Sequence, residues 1–349
     1  MLPRPLCKTP TVTALAALVT AACCALAPTG RAAEWERFIY ERAEMAVPFR
    51  ITLFAPDEQA AREAADAAFD RVRALNGALS DYDSDSELSR LSRTAGQGLA
   101  VPVSDDLWRV LEAAQQLAER SGGAFDITVG PLVNLWRHAR RQRTLPPPEK
   151  IQEMRQRVGY TNLRLDPNAR TAELQKSGMR LDLGGIAKGY AVDEALRVVR
   201  TRGYGQALVA ASGDMVAGDP PPGMNGWRVA ITPLDAPGAP RTTVAIANCG
   251  IATSGDTFQR IEINGVRYSH ILDPRSGFGL TDHALVTVIA PTGMIADALA
   301  TAVSVMPAAD AMALIKSTPE AAGRIVRKTN ETIEVKEAGR WAEVPKVDQ

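Results

Sequence analysis

Side chains that commonly hold a transition metal are scarce in this chain of 349 residues. There are four cysteines and three histidines, and neither an H-E-x-x-H nor a C-x-x-C spacing joins them, so we do not expect a zinc site. The sequence also lacks the P-loop pattern G-x-x-x-x-G-K-[ST], the dinucleotide-binding pattern G-x-G-x-x-G and the hydrolase pattern G-x-S-x-G. None of these four classes of site is therefore indicated.

An excess of charge of either sign is also missing. Lysine plus arginine and aspartate plus glutamate each number 40, so the formal net charge is zero. This balance favours neither nucleic acid as a partner nor an acidic disordered tail. Apolar residues make up 46% and charged residues 23% of the chain, as in an ordinary globular protein of one large domain or two modest ones.

The first thirty residues have a different composition from the rest. Arg4 and Lys8 precede an uncharged, alanine-rich run over 13–27, and small residues follow up to Ala33. This pattern predicts a signal peptide over 1–33, cleaved near Ala32 or Ala33, and a periplasmic protein. One alternative is a lipid anchor at Cys23, although the usual leucine-like residue three places earlier is missing, and it would bring inner-membrane association. A retained membrane anchor is the other alternative, but the apolar run is short for a span.

Helical and strand-like patterns are interspersed without strict alternation in the remainder. The apolar spacing predicts helices over 57–78, 105–121, 149–158, 187–202, 292–306 and 308–317. Strands are predicted over 49–54, 179–183, 206–211, 227–232, 242–248, 258–263 and 284–290, with a hairpin over 325–335. We therefore expect an α+β or mixed α/β fold, with mixed sheets flanked by helices, over 34–335, followed by a C-terminal tail over 336–349. Cys249, the one cysteine outside the leader, is predicted to be a small buried strand residue.

The segment over 268–277 (YSHILDPRSG) is the most suggestive part of the chain. It places His270 between a strand-like run and a turn that Pro274 and Gly277 would shape. An imidazole in such a place suits proton transfer or phosphate handling. A satisfied structural histidine is the alternative interpretation of His270, and it is the one we adopt for His138 and His283.

Two further clusters suit phosphate and a cation. A strand-like run followed by Gly184-Gly185 and a helix start resembles the layout that binds phosphate at a helix N-terminus, and Lys188 adds a positive charge. Asp297 and Thr301 are four residues apart on a predicted helix, so they share one face among apolar residues. Their oxygens suit Mg²⁺, completed by carbonyls, water and substrate phosphate, although a hydrogen bond between the two is the alternative.

Three other clusters are polar or rich in glycine. The run over 82–89 is interpreted either as a ligand loop or as a turn with a capping box from Ser84 to Glu87. The run over 122–136 begins with two glycines that either approach a ligand or end a helix, and it contains Asp126 in an otherwise apolar stretch. The last is the run over 252–256, which ends at Asp256.

Taken in order, these clusters resemble the ApbE family, the FAD:protein FMN transferases. The matching segments are 82–92, 123–136, 182–193, 212–218, 252–256, 269–277 and 296–301, with 45–50 similar to the family's opening strand. The resemblance covers roughly residues 40 to 320 and implies an ApbE-like flavin transferase fold. It implies an exported, Mg²⁺-dependent enzyme that cleaves FAD, releases AMP and attaches FMN through a phosphoester to a threonine or serine of an acceptor protein, a redox-complex subunit.

The resemblance also implies roles for individual residues. Asp297 and Thr301, with the backbone near Gly185, match the metal-binding positions, and His270 matches the histidine that activates the accepting hydroxyl. Asp256 is placed near the metal or the acceptor as a further catalytic residue. The positions that line the flavin and its diphosphate are Met45, Tyr82, Ala124, Phe125, Asp126, Lys188, His270 and Ile271.

The chain departs from the family pattern at two places. It has Met45-Ala46-Val47 where Met-Gly-Thr is usual, and Ser212-Gly213-Asp214 where two glycines and an acid or amide are usual. Neither change removes a proposed metal ligand. Two other functions remain open: an FAD pyrophosphatase, in which water replaces the protein hydroxyl, and a non-catalytic periplasmic FAD-binding accessory protein for respiratory-complex maturation.

Overall fold

A computed structural model describes residues 35–236, 238–239, 241–255, 260–329 and 332–347. The predicted signal peptide, the lipidation site at Cys23 and the predicted catalytic Asp256 lie outside these residues. Over the described parts of the chain, no helix has the length and apolar character needed to cross a membrane.

Helices and strands alternate irregularly along the described chain. Its α-helices are α1 (Glu58–Leu79), α2 (Glu87–Ser92), α3 (Asp105–Arg120), α4 (Gly130–Gln142), α5 (Pro148–Arg155), α6 (Ala187–Thr201), α7 (Gly293–Val305) and α8 (Ala308–Lys316). Its strands are β1 (Glu36–Glu44), β2 (Val47–Ala55), β3 (Val101–Pro102), β4 (Leu163–Asp166), β5 (Thr171–Leu174), β6 (Ala207–Ala211), β7 (Asp214–Ala217), β8 (Trp227–Ile231), β9 (Thr242–Ile246), β10 (Cys249–Gly255), β11 (Arg260–Ile263), β12 (Val266–Ser269), β13 (Ala284–Ala290), β14 (Ala322–Thr329) and β15 (Thr332–Gly339).

A central sheet of eight strands organises the molecule. Its order is β1-β2-β6-β7-β10-β13-β14-β15, and its neighbouring strands are all antiparallel. Three of its pairs are hairpins of consecutive strands, β1–β2, β6–β7 and β14–β15. Smaller antiparallel sheets are β3-β5-β4, β8-β9 and β11-β12. The combination of helices with antiparallel sheets confirms the predicted α+β class.

Helices α1, α6 and α7 pack together, and α6 and α7 cover one face of the central sheet. The apolar positions of α1 recur every three or four residues, from Ala61 through Ala68 and Val72 to Leu75, and these side chains are fully buried. Asp57 begins the helix, because its side chain accepts a hydrogen bond from the Ala60 amide. The main hydrophobic core therefore lies between these helices and the sheet.

The alternation of side chains along each strand gives the sheet a second covered face. Ala252 and Val288 are paired and belong to the main core, whereas the neighbouring pair Ile251 and Ile289 points to the other side. There the β8–β9 hairpin and Trp341, which is 1% exposed, form a second apolar cluster with them. The chain beyond residue 335 thus continues as β15 and packs against this face.

One local prediction is wrong, and one helix was not predicted. The segment over 179–183 is not a strand: only Arg180 makes a bridge, to Val129, while the Leu181 and Asp182 amides donate to the Ser92 hydroxyl and the Ile127 carbonyl. Helix α4 was not predicted, because its Gly-Pro start is typical of a turn, although proline is well tolerated in the first turn of a helix.

The capping box predicted from Ser84 to Glu87 does not form. Ser86 is the N-cap of α2, and its hydroxyl accepts a hydrogen bond from the Ser89 amide. The Glu87 carboxylate instead accepts hydrogen bonds from the backbone amide and hydroxyl of Ser104. A side chain that could close a local box is therefore used to join α2 to the start of α3.

Candidate active site

One cavity of about 760 Å³ collects nearly all of the predicted site residues. The predicted residues that line it are Met45, Tyr82, Ala124, Phe125, Asp126, Gly185, Lys188, His270, Ile271, Asp297 and Thr301. Asp256 lies outside the described residues, and its neighbour Gly255 lines the cavity. Residues far apart in sequence are thus brought to one place, while their individual roles stay predictions.

Lys188 lies at the centre of a buried charge cluster. It is in the first turn of α6, and its Nζ is 2.5 Å from Asp214 Oδ2 and 3.4 Å from Asp297 Oδ2. Burial alone would lower the pKa of Lys188, but the two carboxylates outweigh it and hold that pKa above its usual range. Burial, and then the charge of Asp214, raises the pKa of Asp297 to about 7, even though the Gly189 amide donates to its Oδ2 at 3.0 Å.

A close crossing of α6 and α7 fixes this cluster. A Cβ on Gly189 would lie 2.3 Å from the Gly293 carbonyl oxygen and 2.8 Å from the Asp297 Cβ, so only glycine fits there. Asp193, one turn further along α6, accepts hydrogen bonds from the Gly293 and Met294 amides and so caps α7. The two contacts set Asp297 opposite Lys188.

Asp214 is a site residue that sequence analysis did not assign. It follows Ser212-Gly213, the turn between β6 and β7, where Ser212 has a φ of 55°. The side chain is 4% exposed, so the carboxylate depends on Lys188 for compensation. The sequence did show an acidic residue directly after a tight turn. Its partner Lys188 is 26 residues away along the chain, so the pairing could not be predicted.

The donors needed for a hard cation lie beside this cluster. Thr301 Oγ1 is 3.0 Å from the position that a Cβ on Gly185 would take, so the hydroxyl lies against the glycine turn before α6. No three His, Cys, Asp or Glu side chains gather into a metal site within the described residues. One buried carboxylate, one hydroxyl and nearby backbone carbonyls fit Mg²⁺, which usually takes its remaining oxygens from water and substrate phosphate.

An aromatic side chain and an arginine form another part of the wall. Tyr82 is 77% exposed, and the Arg137 guanidinium lies 4.0 Å from its ring centroid. The same guanidinium donates hydrogen bonds to Asp81 Oδ2 and to Asp182 Oδ2, the latter at 3.0 Å. Burial and the nearby charge of Asp81 raise the pKa of Asp182 to about 6. Sequence analysis missed the role of Arg137 because it lies on the unpredicted helix α4.

Asp126 is held by the protein itself. Its Oδ1 accepts hydrogen bonds from the Thr128 amide and hydroxyl, and its Oδ2 accepts one from the Tyr160 amide at 2.8 Å. Burial raises the pKa of Asp126 despite these donors. The carboxylate that looked unexplained in an apolar stretch therefore shapes the turn after Phe125, which lines the cavity.

Met45 and Ala46 enter the cavity from the β1–β2 turn. Their φ angles are 49° and 62°, as in the two-residue hairpin turns that favour glycine and asparagine. Ala46 carries a side chain in this left-handed conformation, so the chain accepts some backbone strain at the cavity rim.

His270 directly follows β12 and is the only one of the three histidines, all of them described, that lines the cavity. The next turn is fixed by its own backbone and side chains. The Gly277 amide donates to the Asp273 carbonyl at 2.8 Å, and the Trp136 indole donates to the Gly277 carbonyl at 2.8 Å. The Asp273 carboxylate accepts hydrogen bonds from Arg275, so it holds the turn together.

Comparisons with known proteins agree with this geometry. The ApbE family profile matches residues 45–325. The FAD:protein FMN transferase of Haemophilus influenzae is 34% identical over 272 residues, covering 74% of this chain and 77% of that protein. The Salmonella typhimurium protein of the same name is 32% identical over 305 residues, covering 84% and 85%.

Two solved structures have the same architecture. The apo flavinyl transferase ApbE of Pseudomonas stutzeri superposes with a TM-score of 0.78 and 28% identity, covering 89% of this chain and 97% of that one. The flavin transferase ApbE of Vibrio cholerae gives a TM-score of 0.79 and 27% identity, covering 89% and 99%. This chain therefore belongs to the ApbE family.

Proposed function

We propose that this chain is an Mg²⁺-dependent FAD:protein FMN transferase that works in the periplasm. The observation that carries the proposal is one cavity that Lys188, Asp297, Thr301 and His270 all line. Membership of a family whose relatives bear that name supports the reaction class.

The reaction is a phosphoryl transfer between oxygens. The hydroxyl oxygen of an acceptor threonine or serine attacks the phosphorus on the FMN side of the FAD diphosphate, and AMP leaves with the bridging oxygen. The proton of the hydroxyl passes to the His270 imidazole, so a phosphoester forms as the diphosphate bond breaks. Such a reaction needs mainly positioning and neutralisation of charge.

A divalent cation bound beside the buried cluster would supply that neutralisation, because the Lys188 ammonium is itself offset by Asp214 and Asp297. The Lys188 ammonium lines the same cavity, and the contact with Asp214 fixes its position beside Asp297. Asp297, Thr301 and the backbone of Gly185 are the groups that would hold Mg²⁺. When bound there, the cation would offset phosphate charge. Met45, Tyr82, Ala124, Phe125 and Ile271 line the part of the cavity left for the flavin.

The test uses residues 34–349 with FAD, MgCl₂ and a soluble redox-complex subunit that carries a candidate acceptor threonine. We expect flavin fluorescence that stays with the acceptor after denaturation, and none when that threonine is replaced by alanine. His270→Ala should retain FAD binding and lose transfer, and Asp297→Ala should lose the Mg²⁺ dependence. Free FMN without labelled acceptor would favour a pyrophosphatase, and intact FAD would favour a binding protein.

The location has a separate test. We expect N-terminal sequencing of the exported protein to begin near Glu34 and the protein to fractionate with the periplasm. Mass spectrometry of the mature N-terminus decides between cleavage and lipidation, because an acylated Cys23 would place the protein at the inner membrane instead.

A further inference from the structure

A second cavity, of about 440 Å³, adjoins the central one. Asp126 and Pro274 line both cavities, and Pro274 belongs to the turn that follows His270. The second cavity is otherwise formed by Gly122-Gly123, by α5 with the residues after it, and by Arg275. It therefore lies beside the histidine turn, and none of Lys188, Asp214 and Asp297 lines it.

One charged side chain that lines this cavity has no partner among the described residues. The Arg155 guanidinium makes no hydrogen bond or ion pair with any residue that the structure describes, and its side chain is exposed. Arg275, by contrast, bonds the Asp273 carboxylate and the Val305 carbonyl. Asp126, the one acid among the described lining residues, already accepts from backbone and hydroxyl donors. Arg155 is thus the one charged group without a partner among the described residues that line this cavity.

The position of Arg155 is set by the histidine turn. A Cβ on Gly277, whose φ is 81°, would lie 3.0 Å from the Arg155 Cδ and 2.7 Å from the Ile151 Cγ2. The aliphatic stem of the arginine therefore packs on the Gly277 backbone, and its charged end is left for a ligand.

Helix α7 relates this cavity to the proposed metal residues. Asp297, Thr301 and Val305 follow one another at four-residue intervals and so lie along one face. Each interval is about 6 Å of helix, so the Val305 carbonyl that binds Arg275 is roughly one turn beyond Thr301. An extended peptide advances about 3.3 Å per residue, so a few residues connect the two places.

We propose that the second cavity docks the segment of the acceptor protein next to its modified threonine or serine, and that an acidic side chain of that segment pairs with Arg155. This inference rests on the proposed function. The central cavity already has the residues for FAD, and the exposed Arg155 guanidinium, which has no partner among the described residues, can pair with a carboxylate of an incoming segment. A cavity that adjoins the histidine turn is also where an incoming hydroxyl must be guided.

The experiment uses the mature protein with FAD, MgCl₂ and a soluble carrier domain whose exposed tail continues for about six residues on either side of one acceptor threonine. One aspartate is placed at each position from about two to six residues on either side of the threonine, and each has an asparagine twin. We expect one aspartate position to lower the KM for the carrier by about fivefold relative to its twin. Arg155→Glu should give the aspartate carrier and its asparagine twin the same KM. With this variant, a carrier that has lysine at the same position should regain the lower KM.

Lys150→Glu is the matched control, because Lys150 is exposed on the same helix, pairs with Glu153 and lines neither cavity. It should leave the KM for the carrier unchanged, and Arg155→Glu should leave the Kd for FAD unchanged. Equal KM values for all carriers, or an equal effect of both variants, would overturn the docking site. A weaker Kd for FAD in Arg155→Glu would assign the cavity to FAD. Wild-type protein that releases FMN and labels no carrier would instead overturn the proposed function itself.

Discussion

The Lys188 ammonium balances two buried carboxylates, so the three groups together carry one negative charge when all are ionised. A diphosphate would be repelled by such a cluster. Since burial raises the pKa of Asp297 to about 7, a proton partly relieves this charge near neutral pH, and a divalent cation would reverse it. Binding of the cation with or before FAD follows from the charges of these three residues.

Arg137 gives the first prediction at this scale. Arg137→Gln removes the positive partner of Asp81 and Asp182, both 9% exposed, so the free energy of unfolding should fall by about 2 kcal/mol at pH 7. Arg141→Gln, on the exposed side of the same helix, should change it by less than about 0.5 kcal/mol. Urea unfolding of both variants measures the difference.

The same variant should respond to pH. The pKa of Asp182 is about 6 in the folded protein, whereas the ordinary pKa of an aspartate, as in the unfolded chain, is 3.8. Between these values the unfolded state binds fewer protons, so stability falls as pH rises. Removing Arg137 extends that fall to higher pH, and the gap between wild type and Arg137→Gln should widen between pH 5 and 8. A stability difference that stays constant over this pH range would show that Arg137 does not affect the pKa of Asp182.

The sequence predicted the cavity residues that belong to a motif. It did not predict which side chains pair with them. Lys188 and Asp297 are visible as an isolated charge at a helix start and an acid on an apolar helix face. Asp214 and Arg137 act only through contacts with distant segments. A single sequence contains no signal for a pairing made by tertiary folding.

At the scale of the element, α6 and α7 are held together by backbone contact at Gly189 and Gly293. Gly189→Ala would force a Cβ to within 2.3 Å of a carbonyl oxygen, so the helices must separate. We expect a loss of about 2–3 kcal/mol in the free energy of unfolding and a weaker response to Mg²⁺, because Asp297 moves away from Lys188.

The chain offers a matched control for this change. Gly77 is inside α1, and a Cβ there would meet nothing within 4 Å, so Gly77→Ala should stabilise the protein by about 0.5–1 kcal/mol. Thermal unfolding with and without Mg²⁺ measures both variants. A destabilised Gly77→Ala, or a neutral Gly189→Ala, would contradict the assigned contacts.

Elements with a clear period were predictable, and those without one were not. The apolar stripe of α1 and the apolar run of β13, which only Thr287 interrupts, identify both from sequence. Strand β10 reads CGIATSG, and only its first residue, Cys249, was predicted to lie in a strand, yet the whole segment pairs with β7 and β13 at the centre of the sheet. Its small residues let α7 approach, since a Cβ on Gly250 would lie 2.4 Å from the Gly293 amide. Packing therefore overrides strand propensity here.

At the scale of the whole molecule, the C-terminal segment completes the outer face of the sheet. Trp341→Ala should lower the free energy of unfolding by about 3–5 kcal/mol, because a fully buried aromatic side chain leaves a cavity. Val335→Ala, at a side chain that is 40% exposed, should change it by less than about 0.5 kcal/mol. Denaturant unfolding checks both values, and equal effects would place Trp341 outside the core.

The cavity is lined by residues from Met45 to Thr301, and the sheet that supports it pairs β2 with β6 and β10 with β13. A chain that ends before Thr301 lacks part of its walls. The site can therefore appear only at the end of folding, after the slow long-range strand pairings have formed. A chain that crosses a membrane unfolded would stay inert toward FAD on the side where it was made, and its activity would begin only at its destination.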